Sequence, residues 1–434
     1  MLRHKKIKLI AGILCLALTA AATSCVVVPP VSSNFHLAAM ADPVGIYGNL
    51  FGNGEVIEVE VELQDTEWGA LSEEPSKAVI TVNGSTLYDV GVSLDDTGGR
   101  YLVKTDAFEA GQNFKGLDIL TFSSSECDPS YMRQLLGYSA WLTLGGMTPY
   151  LSYAAIRVNG EMQGLYLMSE GVGKKFIERN SAMAEDTTLY YAAQPGCTLE
   201  VSDSAEGFEV RYGSDPEMVN IKRLITTLNT VSVSDIKTLE EILDVDSVLK
   251  AAAVSYVTGS GYGYGSIDAN DYFLLYTKGK FIYVNSPGSE SFGISDDGST
   301  LSSPVNTDEL SERPLFDRLL AVPEYYNKYV GYVFTLVNYF KNINSMVENI
   351  AVVIRNYAAS GADTKYSREQ FDLSVAATDN SVNDGQSDTT GATEVDVQPI
   401  HDLPKSNNSV VSIIAYMENR LANIKSELPE TTGK

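Results

Sequence analysis

Residues 154–170, AAIRVNGEMQGLYLMSE, place an Asn-Gly pair between two apolar stretches. Asn159 and Gly160 supply the two positive-φ residues that a type I′ turn needs, so the sequence predicts a β-hairpin here. The second strand of this hairpin ends on a carboxylate, Glu170. A strand that runs into an acidic residue usually ends at solvent, and the alternative is that Glu170 belongs to a functional site.

The residues before this hairpin predict further strands and one helix. VIEVEVEL (56–63) alternates apolar and polar residues with the period of a half-buried strand. KAVITVNGSTLYDVGVSL (77–94) has its own Asn-Gly turn and predicts a second hairpin, and YLVK (101–104) predicts another strand. Asp128-Pro129 predicts a helix start with an acidic N-cap, and Gly145-Gly146 predicts its end.

After residue 170 the pattern becomes mainly helical. KKFIERN (174–180) predicts a short helix, and NDYFLLY and KFIYV (270–276 and 280–284) predict a strand pair. Apolar residues at helical spacing predict the remaining helices within 217–229, 238–259, 313–340, 345–358 and 409–428. A β-rich N-terminal half followed by a helical C-terminal half indicates an α+β fold with a cleft between two lobes.

The first 24 residues have the composition of an export signal. A basic stretch, MLRHKKIK (1–8), precedes an apolar run, LIAGILCLALTAAA (9–22), that is short for a membrane span. The sequence ATSC (22–25) resembles a lipoprotein box, with Cys25 as the lipidated residue, although Ala22 stands where leucine is usual. Ordinary cleavage, near Ala22 or after Ala41, is the alternative. Either route predicts an exported protein that is held at the cell surface or secreted.

The domain organisation follows from this signal and from composition. We expect residues 1–24 to be the signal, 25–50 a tether, and 51–430 a single folded domain. Residues 374–408 are polar and lack periodicity, which predicts a loop or a disordered insert within that domain.

Charge and histidine content exclude several classes of function. The net charge of −25 becomes −29 without residues 1–24, which contain four basic residues and no acidic one. Such a surface repels nucleic acid and anionic lipid. We therefore expect no nucleic-acid partner, and membrane attachment only through a lipid anchor.

No histidine occurs between residues 42 and 400. The chain therefore lacks the histidine that a serine or cysteine hydrolase or a histidine zinc site needs. Any chemistry must use carboxylates, lysines and hydroxyls, and any metal must be a hard cation held by oxygen ligands. Cys127 and Cys197 could pair outside the cytoplasm.

Four stretches in this order resemble the CotH kinase-like family, which is named for a spore coat protein. They are GQNFKGLDILTFSSSECDPSYMRQLLGY (111–138), AAIRVNGEMQGLYLMSEGVGKKFIERN (154–180), SERPLFDRLLAVPEYYNKY (311–329) and YMENRLANIKSEL (416–428). The resemblance extends over about residues 55–428. It implies a protein-kinase-like fold with two lobes and transfer of phosphate from ATP to protein serines, with Mg²⁺ as the metal. Such a reaction needs a cation for the phosphates and carboxylates or amides for the metal.

The resemblance also assigns candidate site residues. Lys104 matches a family lysine, and Glu170 is its expected partner, so both are candidates for cofactor binding. Asp268 and Asp271 lie near the acidic and amide pair of the family and are the candidate catalytic residues.

Two departures from the family pattern weaken the predicted chemistry. The metal-site aspartates of the family correspond to Pro287 and Ser289 in VNSPGSESFG (284–293), so no metal ligand is assigned there. Where the family has a basic Gly-Ser stretch, this chain has Asp95 and Asp96, which would repel phosphate. Relocated carboxylates at Glu290, or at Asp296 and Asp297, are the alternative source of metal ligands.

Three hypotheses follow from this pattern. The first is a kinase-fold protein that has lost efficient phosphotransfer and acts as an extracytoplasmic binding or scaffold module with other surface proteins as partners. The second is an active ATP-dependent serine kinase that uses relocated carboxylates. The third is a structural or carbohydrate-associated surface lipoprotein. ATP and Mg²⁺ are the cofactors that the family resemblance implies.

Overall fold

A computed structural model describes residues 45, 47–48, 50–51, 54–95, 99–125, 127–260, 262–266, 268–286, 288, 291–293, 313–362, 364–377 and 410–428. The expected signal, Cys25, most of the tether and most of the polar insert lie outside these residues. So do five residues of the predicted metal-site region, which are Pro287, Ser289, Glu290, Asp296 and Asp297. Among the described residues, no helix combines the length and the apolar character needed to cross a bilayer.

Seven strands of the N-terminal half form a closed barrel, in the order β1-β2-β3-β4-β5-β7-β6. They are β1 (Ile57–Leu63), β2 (Ser76–Val82), β3 (Ser85–Leu94), β4 (Arg100–Lys104), β5 (Ile119–Ser123), β6 (Leu151–Val158) and β7 (Glu161–Glu170). Neighbouring strands are antiparallel except β1 and β6, whose parallel pairing closes the barrel. All three predicted strand regions before residue 105 and both Asn-Gly hairpins are confirmed.

The β6–β7 hairpin is a wall shared by two hydrophobic cores. Its turn has the predicted conformation, with φ of 51° at Asn159 and 85° at Gly160. Ile156 and Met168 face the barrel interior, whereas Tyr153 and Leu167 pack into the core formed with the helices. Because both faces are buried, the hairpin is apolar almost throughout instead of alternating.

A second, four-stranded antiparallel sheet has the order β11-β10-β8-β9. Its strands are β8 (Thr188–Ala192), β9 (Phe208–Tyr212), β10 (Phe273–Thr277) and β11 (Lys280–Val284). The sequence predicted β10 and β11 but missed β8 and β9. Every residue of β8 is buried, so this strand lacks the period-two pattern that identifies a half-exposed strand.

Nine α-helices occur among the described residues. They are α1 (Arg133–Thr143), α2 (Lys174–Asn180), α3 (Val219–Thr230), α4 (Val245–Thr258), α5 (Pro314–Leu320), α6 (Pro323–Tyr339), α7 (Ile343–Ile354), α8 (Arg368–Ser374) and α9 (Ile413–Glu427). Helix α1 begins at Arg133 and not at the predicted Asp128-Pro129. The Asp128 carboxylate accepts hydrogen bonds from the Ser130 and Arg133 amides at 2.9 and 2.8 Å, and this turn precedes the helix. Helix α8 was not predicted.

The predicted α+β class is therefore confirmed, with a β-rich N-terminal half and a helical C-terminal part. The closed barrel was not predicted, because the β1–β6 pairing joins residues as distant as Val59 and Ile156. The kinase-like arrangement of two lobes remains a prediction. Cys197 does not pair with Cys127, since its thiol donates to the Gln194 carbonyl at 3.3 Å.

Candidate functional site

A cleft of about 140 Å³ lies between the outside of the barrel and the second sheet. The barrel side is lined from β4, β5 and the end of β7, the other side from β8, β9 and the start of β10, and Gln134 and Tyr138 of α1 also line it. Hydroxyl groups of Thr121, Ser123 and Ser169 belong to the lining. The cleft therefore combines two structural parts and a mixture of charged, hydroxyl and aromatic groups.

Arg100 connects the two sides of this cleft. Its Nε lies 3.1 Å from Oδ2 of Asp95, which follows β3 on the barrel side. Its Nη2 donates to the Tyr191 hydroxyl at 3.0 Å and lies 3.8 Å from Oδ1 of Asp271, both on the side of the second sheet. The Tyr191 hydroxyl in turn donates to Asp271. One guanidinium thus contacts carboxylates from both sides.

A second arginine, on the second sheet, contacts the other oxygen of the same carboxylate. Nη2 of Arg211, on β9, lies 3.7 Å from Oδ1 of Asp95 and 3.1 Å from Oε2 of Glu209. The Arg211 guanidinium also lies 4.7 Å from the centre of the Tyr191 ring. Asp95 is therefore held between two arginines, which are both positioned by one tyrosine.

Burial and charge fix the protonation states of these groups. Burial raises the pKa of Tyr191, with further contributions from Asp271, so this hydroxyl stays protonated and donates. Burial alone would lower the pKa of Arg100, but the neighbouring Tyr191, Asp95 and Asp271 raise it. Arg100 is consequently a permanent cation in the lining of the cleft.

The structure separates the two aspartates that the resemblance selected as catalytic. Asp271 is buried, adopts a left-handed φ of 56°, and donates its backbone amide to Ala192 at 2.8 Å. It thereby contacts Arg100 and Tyr191 at the cleft. Asp268 is exposed. Neither aspartate lines the cleft itself, but Asp271 contacts two residues that do, Arg100 and Tyr191. A catalytic role for either residue stays a prediction, and position favours Asp271.

The expected pairing of Lys104 with Glu170 is wrong. Lys104 lies opposite Ile119 and Glu170 lies opposite Leu120, so the two side chains point to opposite faces of the barrel wall. Lys104 lines the cleft, exposed, whereas Glu170 is fully buried on the other face.

Glu170 has a different cationic partner. It pairs with Arg179 of α2 and accepts a hydrogen bond from the Tyr150 amide at 3.1 Å. Burial raises the pKa of Glu170, and the Arg179 guanidinium opposes that rise. Since the next residue, Gly171, lines the cleft, Glu170 supports the wall of the cleft and does not enter it.

The stretch that corresponds to the metal-site motif of the family is described only in part. Ser286 lines the cleft, whereas Phe292 is buried and packs against Phe340 with ring centres 5.7 Å apart. Pro287 and Ser289 lie outside the described residues.

The cleft residues fit a phosphate-bearing ligand better than they fit Mg²⁺. Lys104, Arg100 and Arg211 provide cationic donors for phosphate oxygens. Both carboxylates, Asp95 and Asp271, contact arginine, and the described part of the chain brings no three Asp, Glu, Cys or His side chains together in a group suited to a metal. The described donors therefore do not form a magnesium site.

Sequence reasoning missed the residues at the centre of the cleft. Arg100 directly precedes the predicted strand 101–104, and a charge at the edge of a buried strand is a weak signal. Tyr191 and Arg211 lie on the two strands that were not predicted. Asp95 was noticed only as a departure from the family pattern.

Comparison with known proteins identifies the family of this chain. The family model described as CotH kinase protein matches residues 100–423, from the cleft arginine on β4 into α9. The chain belongs to the CotH kinase protein family.

One relative is similar over part of the chain. The inner spore coat protein H of Bacillus subtilis (strain 168) is 24% identical over 216 residues, which cover 47% of this chain. The chain spans 58% of the length of that relative. Asp95 precedes the region matched by the family model.

Proposed function

We propose that this chain is an exported CotH-family protein with a kinase-like arrangement of two lobes, whose cleft binds a phosphate-bearing ligand with weak or no phosphotransfer. It acts outside the cytoplasm as a binding or scaffold module. The observation that carries this proposal is that Arg100 engages both Asp95, which lines the cleft, and Asp271, which lies behind the lining. Carboxylates that are paired with a guanidinium are poor ligands for a catalytic metal.

The expected loss of rate is large. Metal stabilisation of the transferring phosphoryl group contributes several kcal/mol. Because about 1.4 kcal/mol corresponds to a tenfold change in rate, its loss reduces the rate by roughly a thousandfold or more. The replacement of the family aspartates by Pro287 and Ser289 is consistent with this loss.

In this proposal, side chains of the chain itself bind the ligand. ATP is the candidate ligand, and its phosphates would contact Lys104, Arg100 and Arg211. Mg²⁺ has no ligand set among the described residues. Glu170 acts on this site indirectly, through the pairing with Arg179 that fixes the chain before Gly171.

The location that we propose is outside the membrane, in a surface or coat layer. The N-terminal signal-like segment and the similarity to a protein named for the inner spore coat support it. The partners would be other surface or coat proteins, and lipidation at Cys25 would provide the attachment to the membrane.

The proposal is tested by measuring nucleotide binding and phosphotransfer on the same preparation. We expect ATP to raise the melting temperature equally with and without Mg²⁺, and to give background label on a serine substrate. Asp271→Asn should alter the rise in melting temperature that ATP causes. Asp89→Asn, which removes a surface carboxylate paired with Lys77, serves as the control.

Other results would select the remaining hypotheses or reassign the catalytic residue. Strong, Mg²⁺-dependent label that is lost in Asp271→Asn would establish an active kinase. The contacts of Asp271 with the cleft residues Arg100 and Tyr191 are the observation that favours this second candidate. Loss of the label in Asp268→Asn instead would restore the predicted role of that residue. No nucleotide shift, together with retention on glycan or coat material, would indicate a structural protein.

A further inference from the structure

The Asp95 carboxylate bridges two arginines with separate oxygen atoms. Oδ2 lies 3.1 Å from Arg100 Nε, and Oδ1 lies 3.7 Å from Arg211 Nη2. The side chain is 9% exposed and lines the cleft. A phosphate group satisfies the same arrangement, because guanidinium groups bind carboxylate and phosphate oxygens through the same planar pairs of donors.

Each arginine has an anchor that does not involve Asp95. Arg100 donates to the Tyr191 hydroxyl and lies close to Asp271, whereas Arg211 pairs with Glu209 and lies over the Tyr191 ring. These contacts hold both guanidinium groups in place when Asp95 is replaced. The two arginines therefore form a preorganised anion site, and Asp95 occupies it.

The chain holds Asp95 in this position through its backbone. The Asp95 amide donates to the Arg100 carbonyl at 2.7 Å, where β3 and β4 approach each other. The effective concentration of the carboxylate at the arginines is consequently high, as for any group tethered beside its partner. An external anion must displace it.

We infer that Asp95 is an internal competitor in a two-arginine oxyanion site, whose external ligand is a phosphate ester or pyrophosphate group. This inference concerns the cleft of the proposed function and rests on it. Displacement of Asp95 by the ligand would free the carboxylate and break its bridge between Arg100 and Arg211. Ligand affinity is thereby kept low, and release of Asp95 is the step that regulates binding.

The test is a calorimetric titration of the full chain with pyrophosphate alone, in a metal-free buffer of low ionic strength. Asp95→Ser should bind pyrophosphate about tenfold or more tightly than the wild type, because the variant removes a like charge and frees charge-assisted donors. Asp95→Asn keeps the shape of the side chain and should gain affinity in the same direction. Asp89→Asn, a change at a surface ion pair, should match the wild type.

The double variant Asp95→Ser/Arg211→Gln decides whether the gain arises at the arginine pair. We expect this variant to lose most of the gain. Equal affinity of the wild type and both Asp95 variants would overturn the inference, as would a gain that persists without Arg211. Failure of the proposed function is a separate result, because it would be seen as metal-dependent phosphotransfer by the wild type and not as a change in pyrophosphate affinity.

Discussion

Arg179 neutralises the charge of a carboxylate that is buried away from water. Glu170 is fully buried, and the Arg179 guanidinium contacts it while also stacking on Tyr150 at 3.9 Å from the ring centre. Removing one partner of a buried ion pair is costly because the other charge stays behind uncompensated. Arg179→Met should therefore reduce the free energy of unfolding by about 3–5 kcal/mol in urea denaturation.

A second variant separates charge from packing. In Glu170→Gln/Arg179→Met neither charge is present, and we expect a large part of the lost stability to return. If the double variant is as unstable as Arg179→Met, the loss comes from packing of the arginine side chain against Tyr150 and not from the buried charge.

The sequence identified Glu170 but not its partner. The position of a carboxylate at the end of an apolar strand can be read locally, whereas its partner depends on which face of the sheet it occupies. That face is set by the pairing of β4 with β5 and of β5 with β7, in which a shift of one residue reverses the side. The same limit hid Arg100, because two of its partners, Tyr191 and Asp271, lie on the side of the second sheet.

At the scale of elements, Asp246 joins α4 to α6. It lies in the first turn of α4, pairs with Lys250 at 2.9 Å on the same helix, and contacts Lys328 and the Tyr332 hydroxyl of α6. Burial opposes ionisation, but Lys328, Tyr332 and Lys250 outweigh it and lower the pKa of Asp246 from 3.8 to about 2. The ionised carboxylate thus contributes to the contact between the two helices.

The pH dependence follows from the sign of this shift. Since the folded pKa is below the unfolded value, the contribution is complete above about pH 3.8 and is lost as the pH falls towards 2. Asp246→Asn should unfold about 1 kcal/mol more easily at neutral pH, a modest value because the group is one-third exposed. Denaturation curves at several pH values should show the wild type and the variant converging near pH 2, and a difference that is constant with pH would contradict this assignment.

Elements with local signals were predictable, and the others were not. Both Asn-Gly hairpins and the Lys278-Gly279 turn contain the positive-φ residues that their geometry needs. No such turn joins β8 to β9. Every residue of β8 is buried, so this strand shows no alternation, and β9 (FEVRY) alternates over only five residues. The start of α1 was misplaced because the Asp128 turn resembles a helix N-cap in sequence.

At the scale of the molecule, the two largest cores share the β6–β7 wall. Tyr166 and Met168 belong to the barrel core, whereas the residues between and before them, Leu165 and Leu167, belong to the helical core. Loss of either core would expose one face of the same two strands. Residues of β6 and β7 therefore couple the barrel to the helices, and we expect the body to unfold in one transition.

The two tryptophans of the chain report on this coupling separately. Trp68 is buried in the barrel core and donates to the Tyr166 hydroxyl at 3.0 Å, whereas Trp141 is buried in the helical core and donates to the Met147 carbonyl at 2.7 Å. Trp141→Phe leaves emission from the barrel alone, and Trp68→Phe leaves emission from the helical core alone. In each variant, the urea midpoint measured by emission should coincide with the midpoint measured by far-ultraviolet circular dichroism. Both midpoints come from the same variant, so the effect of the substitution on stability cancels. The contradicting result is an emission midpoint above the circular-dichroism midpoint in one variant and below it in the other. The barrel and the helices would then unfold independently, and the shared hairpin would be insufficient to couple them.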